Sequence, residues 1–227
     1  MRRCVLRPLI LAALGTVLMS TLVACAPGSS PRADPTPSHS STVSLDLAPD
    51  APHTAAQAQA SADAVMLGAD EIPDGPWTKD GPVATDDFRQ WVCGVDTEPN
   101  PPVMSFVARW LSPEHGRMLF QSVRPIGATR AEQLITALDA AVRACQQDRR
   151  VKGEAVYTYD ITRLPVSSAH AVAYRQRQTT GAVAVTDVDL VYFVERDSLV
   201  VFTVFSDRTP AGPDVLDGLV AAVRAKR

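Results

Sequence analysis

The first 25 residues constrain this chain most, because they have the three parts of an export signal and leave the folding to the residues that follow. Arg2, Arg3 and Arg7 form a positively charged start, and an apolar run covers residues 9–23. Spanning a bilayer takes about 20 apolar residues, so this run is short for a permanent transmembrane helix. No basic stop-transfer cluster follows it. The sequence therefore predicts an exported chain whose residues 1–25 are a signal peptide.

The signal peptide ends in Leu-Val-Ala-Cys, residues 22–25, which resembles the lipobox of bacterial lipoproteins. In those proteins the cysteine is acylated and becomes the first residue of a tethered protein. The resemblance implies that Cys25 carries palmitate-like acyl chains, which anchor the chain on the extracytoplasmic side of the cell membrane. Each buried methylene group contributes roughly 0.8 kcal/mol to the membrane affinity. A plain signal peptide, or a membrane anchor that only happens to contain Cys25, is the alternative. No later segment is long and apolar enough to span a bilayer.

The cysteine count follows from this interpretation. Of the four cysteines, Cys4 leaves with the signal peptide and Cys25 carries lipid, which leaves Cys93 and Cys145. An exported domain meets an oxidising compartment, so the pair is predicted to form one disulfide, worth roughly 4 kcal/mol for a loop of about 50 residues. Two free thiols or a metal-binding pair are the alternatives. Neither CxxC spacing nor clustered histidines supports a metal, which favours the disulfide.

The charge balance limits the partners. The chain has 22 Lys and Arg against 25 Asp and Glu, and the net charge becomes about −6 without the three signal-peptide arginines. Nucleic acid would require a concentrated basic face, and anionic headgroups would require a basic patch. We therefore expect no nucleic-acid partner. The expected partners are membrane lipid through Cys25 and an unknown small ligand or envelope protein.

Two further regions follow the signal peptide. Residues 26–53 contain six prolines and six serines, with scarcely any large apolar side chains. Such a segment cannot bury enough surface to offset the ordering of its backbone, so it is predicted to be a disordered linker that spaces the domain from the membrane. Residues 54–227 are long enough for one globular domain with its own core.

Periodicity within residues 54–227 predicts an α+β domain, an antiparallel sheet of about six strands packed with two main amphipathic helices. The predicted strands are residues 103–110, 117–123, 157–161, 170–178, 183–194 and 199–205. The last two are expected to form a central hairpin. A capping box at Thr129 and Glu132 is predicted to start the first helix, and residues 146–153 are predicted to end it. Pro213 is predicted to start the second helix. Residues 54–66 are a plausible short helix, and Trp77 is expected to anchor the core.

No known catalytic or cofactor motif appears in the sequence: there is no G-x-S-x-G, phosphate-binding loop, dinucleotide fingerprint or HExxH. His115 in a turn and His170 at a strand start are interpreted as surface or hydrogen-bonded residues. Asp86 and Asp87 could bind a cation, but a solvated acidic turn is favoured. We therefore predict no catalytic, cofactor-binding or metal site, and a protein that is not an enzyme.

A set of strand residues remains as a possible ligand site. These tyrosines and arginines could line a cleft, although core packing beneath a polar outer face explains them as well and is favoured. They are Tyr157, Tyr159, Tyr174, Arg175 and Arg177.

The order of features resembles the PknH-like extracellular sensor domain, found outside mycobacterial receptor Ser/Thr kinases and in stand-alone actinobacterial lipoproteins. The features are the proline-rich spacer, Glu71-Ile72-Pro73 before Trp77, Trp91-x-Cys93, a hairpin, a helix with Cys145 near its end, an apolar hairpin and an Ala/Val-rich last helix. The likeness covers about residues 62–225.

The resemblance implies a non-catalytic domain that binds an extracellular ligand in a cleft and signals through a partner. Two departures stand out. The kinase sensor domain has two disulfides where only one can form here, and the turn at residues 195–198 lacks the glycine often present there. A cell-envelope hydrolase or a scaffold lipoprotein is the alternative function.

Overall fold

The structure is a computed structural model that describes residues 45, 47–49, 51, 53–80, 91–96, 104–152, 155–180 and 183–226. These residues all belong to one compact unit, residues 40–227. The elements are α1 (Ala55–Asp63), β1 (Thr78–Lys79), β2 (Trp91–Val92), β3 (Val95–Asp96), β4 (Phe106–Ser112), β5 (Arg117–Arg124), α2 (Ala128–Ala144), β6 (Gln147–Lys152), β7 (Ala155–Leu164), β8 (Ala171–Thr180), β9 (Val183–Glu195), β10 (Ser198–Ser206) and α3 (Gly212–Ala225).

Eight of the described strands form one antiparallel sheet, in the order β1-β4-β5-β10-β9-β8-β7-β6. The fold class is therefore α+β, as predicted, with eight strands rather than about six. β9 and β10 lie in the middle of the sheet, where Glu195 pairs with Ser198 across their connection, which confirms the central hairpin. The remaining two strands, β2 and β3, pair with each other in a small separate sheet.

The prediction that residues 146–153 end a helix is wrong, because most of them form the edge strand β6. Its register with β7 runs from Gln147 opposite Asp160 to Lys152 opposite Ala155. The Arg150 guanidinium lies 4.5 Å from the centre of a tyrosine ring on β7. Basic residues suit a helix end and an edge strand equally well, and the pairing with β7 decides between them.

The predicted capping box at Thr129 and Glu132 is also wrong. The helix begins one residue before Thr129, at Ala128, and Gly127 is the N-cap without a side-chain cap. Gly127 has φ 86°, a conformation that suits glycine, and its N–H donates to the Asp197 carbonyl oxygen at 2.8 Å. This bond to the β9–β10 turn, rather than a local cap, fixes where the helix starts.

The sheet is covered on both faces, which we call the α3 face and the α2 face. On the α3 face, Phe202 packs with α3 and with Trp77, which is only 7% exposed and confirms the predicted core anchor. On the α2 face, Leu199 and Val201 pack beneath α2. β10 therefore alternates between two apolar environments, which explains why its sequence is an almost continuous apolar run.

A short stretch of the predicted linker contacts the domain beside the start of α2. Leu45 and Leu47 pack against the core of the α2 face. The backbone N–H of Ala51 donates to the Ile126 carbonyl oxygen at 3.2 Å, and the His53 imidazole lies 3.5 Å from the carboxylate in the β9–β10 turn. We call the described residues of this stretch, 45, 47–49, 51 and 53, the docked segment. Among the described residues, no helix combines the length and apolarity needed to cross a membrane.

Candidate functional site

The structure joins Cys93 and Cys145 in a disulfide, as the sequence predicts. The bond links the β2–β3 turn to the residue that follows α2. Beside it, the Cys93 N–H donates to the carboxylate of Asp148 at 3.3 Å. The bond therefore attaches the small β2–β3 sheet to the helix that covers the α2 face. Cys25 lies outside the described residues, so its acylation stays a prediction.

Strand alternation separates the tyrosines and arginines that could have lined one cleft. Tyr159 and Tyr174 belong to the α2 face, and alternation along β7 places Tyr157 on the same face. Tyr174 is fully buried and stacks on Tyr192 at 6.0 Å between ring centres, and this burial raises the pKa of its phenol. These tyrosines are part of the packing of the α2 face.

The two arginines belong to the opposite face, where carboxylates bind them. Arg175 donates from Nε and Nη2 to Asp189 at 2.6 and 3.0 Å, and this pairing raises the pKa of the guanidinium. Asp189 is 1% exposed and also accepts from the Gly212 N–H at 2.8 Å. Arg177 pairs in the same way with Asp187. The five residues therefore do not form one cleft, and Asp189 attaches the start of α3 to the sheet.

The histidines lie in turns. His115 Nδ1 is 2.9 Å from Ser112 Oγ within the β4–β5 turn, and Ser112 is buried. His170 is exposed, with φ 56°, immediately before β8. Asp86 and Asp87 lie outside the described residues. Within the described part of the chain, no group of three or more acidic, cysteine or histidine side chains could hold a metal.

The candidate site is a groove that the sequence analysis did not predict. It lies where β10 ends and β5 begins, at the end of the β9–β10 hairpin opposite its turn, and has a volume of about 480 Å³. Small-molecule pockets range from about 300 to 1,000 Å³. It is lined by Leu111, Pro113, Gly116, Arg117, Met118, Thr186, Phe205, Ser206 and Asp207.

The floor of the groove is an apolar row across three strands. Leu111 on β4 pairs with Met118 on β5, and Met118 pairs with Phe205 on β10. The Phe205 ring packs edge-on against Phe120 at 5.6 Å, which fixes its position. All three floor residues are half-buried, because α2 packs mainly on β7 to β10 and leaves this part of the face uncovered. The floor thus offers accessible apolar surface to a ligand.

Two buried polar groups occupy the strand positions next to this floor, and alternation places their side chains on the opposite, α3 face of the sheet. Arg117, whose side chain is 10% exposed, forms an ion pair with Asp74 through Nη1, but its Nε has no hydrogen-bond partner among the described residues. The Ser206 hydroxyl, on a residue that is 6% exposed, is likewise without a partner within the described chain. A buried polar group without a partner is costly. Both atoms are almost completely enclosed, so a ligand on the apolar floor does not reach them.

Gly116 and Asp207 form the rim. Gly116 has φ 59°, a conformation that favours glycine, and a Cβ there would displace the Asp207 carboxylate. The Asp207 N–H donates to the Gly116 carbonyl oxygen at 3.1 Å. This bond joins the β4–β5 turn to the end of β10 and thereby shapes the mouth of the groove.

Solved structures identify the fold. The chain is similar to the extracellular domain of PknH from Mycobacterium tuberculosis. The match has a TM-score of 0.51 at 9% identity and covers 78% of this chain and 99% of the PknH domain. Weaker likenesses are a putative uncharacterized protein from Mycobacterium smegmatis (TM-score 0.32, 14% identity, 53% of this chain and 64% of that one) and a protein from Rhizobium loti (0.29, 11%, 55% and 99%). The sequence matches no family model and no curated protein.

At 9% identity the likeness to the PknH domain shows a shared fold, which is the part of the predicted resemblance that is confirmed. It assigns no ligand and no binding residue to this chain. The groove therefore has to be judged on its own geometry.

Proposed function

We propose that this protein is a membrane-anchored extracytoplasmic lipoprotein whose domain binds a ligand in a sensor-like role and is not an enzyme. The observation that carries the proposal is the groove, because its apolar floor is accessible and its volume of about 480 Å³ suits a small molecule. The likeness in fold to a domain described as extracellular supports the same location.

The anchoring part of the proposal rests on the lipobox-like residues 22–25 at the end of an apolar run. Acylated Cys25 would hold the domain at the membrane, and an envelope protein would receive its signal. The hydrolase alternative gains little from Ser112 and His115. They come from one turn, and the serine is buried.

Native mass spectrometry of the full chain recovered from cell membranes tests both parts. We expect acyl mass on Cys25 and a noncovalently bound molecule. Met118→Arg should abolish the bound molecule, because it places a charge on the apolar floor. Thr136→Arg introduces the same charge on an exposed position of α2 and should retain it.

The experiment can contradict the anchoring through Cys25 and the ligand binding independently of each other. A chain recovered without acyl mass on Cys25 contradicts the anchoring. A correctly acylated chain that never carries a bound molecule contradicts the ligand-binding role, as does a molecule whose retention is indifferent to Met118→Arg.

A further inference from the structure

We infer that a second pocket, between the end of α2 and β7, binds an organic carboxylate with an apolar body. We call it the arginine pocket, because Arg143 and Arg163 line it. Its volume of about 540 Å³ lies within the range of small-molecule pockets. It shares no lining residue with the groove, so this inference goes beyond the proposed function and does not depend on it.

The arginine pocket forms because β7 is longer than its neighbour β6. β6 begins at Gln147, opposite Asp160, and the Ile161 N–H donates at 2.8 Å to the carbonyl oxygen of the residue just before β6. β7 ends at Leu164, so its last three residues extend beyond β6 and pair with no described strand on that side. The last turn of α2 lies beside this free end of β7, and the space between them is the pocket.

Two guanidinium groups converge beside this space. Nε of Arg143, on α2, donates to Oδ2 of Asp139 at 2.7 Å, and Nε of Arg163, on β7, donates to Oδ1 of the same carboxylate at 3.0 Å. Strand alternation places Arg163 on the α2 face together with Ile161, so both arginines lie on the same side of the sheet. Their Nη groups form no hydrogen bond with the described residues. These Nη groups are therefore available to a ligand.

The charges around the two arginines leave a surplus of positive charge on the α2 face. Burial raises the pKa of the Asp139 carboxyl, but hydrogen bonds from both arginines outweigh it and hold that pKa below its usual value. One carboxylate thus faces two guanidiniums. Asp160 also lines the pocket, but alternation places its side chain on the α3 face, where it accepts from Gln147 Nε2 at 2.8 Å. The end of α2 adds a partial negative charge of about −0.5, which leaves the balance positive.

This charge balance selects a carboxylate. A carboxylate carries one negative charge, and its two oxygens match the fork of N–H donors on a guanidinium. A phosphate dianion would bring a second negative charge close to Asp139, and the two would repel each other. An ammonium group would be repelled by both arginines. An uncharged group would leave the surplus charge without a counterion.

The bottom of the arginine pocket selects an apolar body. Val142 and Ile161 belong to the core of the α2 face, and the half-buried Cys145 packs against the same core. The aliphatic stems of the two arginines add further apolar surface. A polar group on the body of the ligand would lose its hydrogen bonds to water there without gaining new ones.

Calorimetric titration tests the carboxylate class on the full chain, isolated from membranes in a nonionic detergent. The ligands are 3-phenylpropanoate, 3-phenylpropanamide and 3-phenylpropylammonium, which share an apolar body and differ in the end group. We expect the Kd for 3-phenylpropanoate to be at least about tenfold lower than for the other two, because only the carboxylate pairs with both arginines. Inorganic phosphate should bind more weakly than 3-phenylpropanoate.

A peptide could present the same carboxylate at its C-terminus, and a further titration distinguishes this source from a free acid. The ligand is N-acetyl-alanyl-phenylalanine, with its C-terminal amide as the control. Tighter binding than 3-phenylpropanoate identifies a peptide terminus as the source, and weaker binding identifies a free acid. In either case the amidated peptide should bind at least about tenfold more weakly than the peptide with a free carboxylate.

Variants test the two arginines. Arg143→Gln and Arg163→Gln each remove one guanidinium, which leaves the other neutralised by Asp139, and each should raise the Kd for 3-phenylpropanoate about tenfold. Arg163→Lys keeps the charge but loses the planar fork, so its Kd should lie between those of the natural chain and Arg163→Gln. Arg177→Gln is the control, because Arg177 is also an exposed strand arginine paired with an aspartate, but on the α3 face. It should leave the Kd unchanged.

Several results overturn the inference. Equal Kd values for the carboxylate and the amide, or tighter binding of the ammonium or of phosphate, exclude a carboxylate site. An unchanged Kd in both Arg143→Gln and Arg163→Gln places the binding elsewhere. A similar rise of Kd in Arg177→Gln shows a general effect of surface charge. If 3-phenylpropanoate and the peptide do not bind, the pocket takes no carboxylate, whereas a molecule whose retention depends on Met118 still supports the proposed function of the groove.

Discussion

Asp189 is the single side chain on which the α3 face depends most. Its carboxylate accepts from Arg175 and from the first residue of α3, and it is almost completely buried. Asp189→Asn should lower the free energy of unfolding by about 3 kcal/mol, because it leaves a guanidinium without its charged partner. Chemical denaturation monitored by circular dichroism measures the change.

Asp187 supplies a matched control two register positions away. It forms the same type of cross-strand pair, with Arg177, but that arginine is half exposed. Exposed pairs contribute about 0–1 kcal/mol, so Asp187→Asn should cost less than about 1 kcal/mol. Similar losses of unfolding free energy in both variants would contradict the argument that burial makes the Arg175–Asp189 pair the stronger of the two.

The disulfide acts on whole elements, since it attaches the β2–β3 hairpin to the end of α2. Its two cysteines are 52 positions apart, and opening a loop of this size should lower the free energy of unfolding by about 4 kcal/mol. Denaturation of a Cys93→Ser, Cys145→Ser double variant measures this loss. A reducing agent should destabilise the natural domain by a similar amount and leave the double variant unaffected. A loss below about 1 kcal/mol would mean that other contacts hold the hairpin.

The strands and helices also show which parts of the fold hydrophobic periodicity predicts and which parts it misses. All six predicted strands occur, because alternation or a continuous apolar run over five or more residues is a strong strand signal. β1 has two residues and β6 is charged, so neither shows an apolar pattern, and both depend on a neighbouring strand for their conformation. The start of α2 depends on the bond from Gly127 to Asp197, 70 positions away, which no local capping motif can express.

For the molecule as a whole, the sequence predicts the disulfide and the fold class but not the groove. Gly116 and Asp207 are far apart in the chain, and only the register of β5 with β10 brings their turns together. Residues of ordinary surface character thus become a candidate site through tertiary structure alone.

The docked segment leads to a prediction at this scale. Leu45→Asp with Leu47→Asp should release it, because both side chains pack on the α2-face core, and should lower the free energy of unfolding by about 2 kcal/mol. Hydrogen exchange of the Ala48 and Ala51 amides, which donate to Gln133 and Ile126, should accelerate. Pro49→Asp, at an exposed position of the same segment, should change neither quantity. Unaltered exchange in the double variant would contradict the packing.

Contact of the docked segment with the domain would also limit how far the domain can move from the proposed anchor at Cys25. With Cys25 as the proposed anchor, the chain between anchor and domain would be about 20 residues, counted to Leu45, instead of about 30 counted to the start of α1, and its greatest extension would fall from roughly 105 to roughly 70 Å. The effective concentration of a tethered domain rises as about the 3/2 power of the shortening, which would be roughly 1.8-fold here. Under the proposed anchoring, Leu45 and Leu47 would therefore increase how often the domain meets a partner embedded in the same membrane.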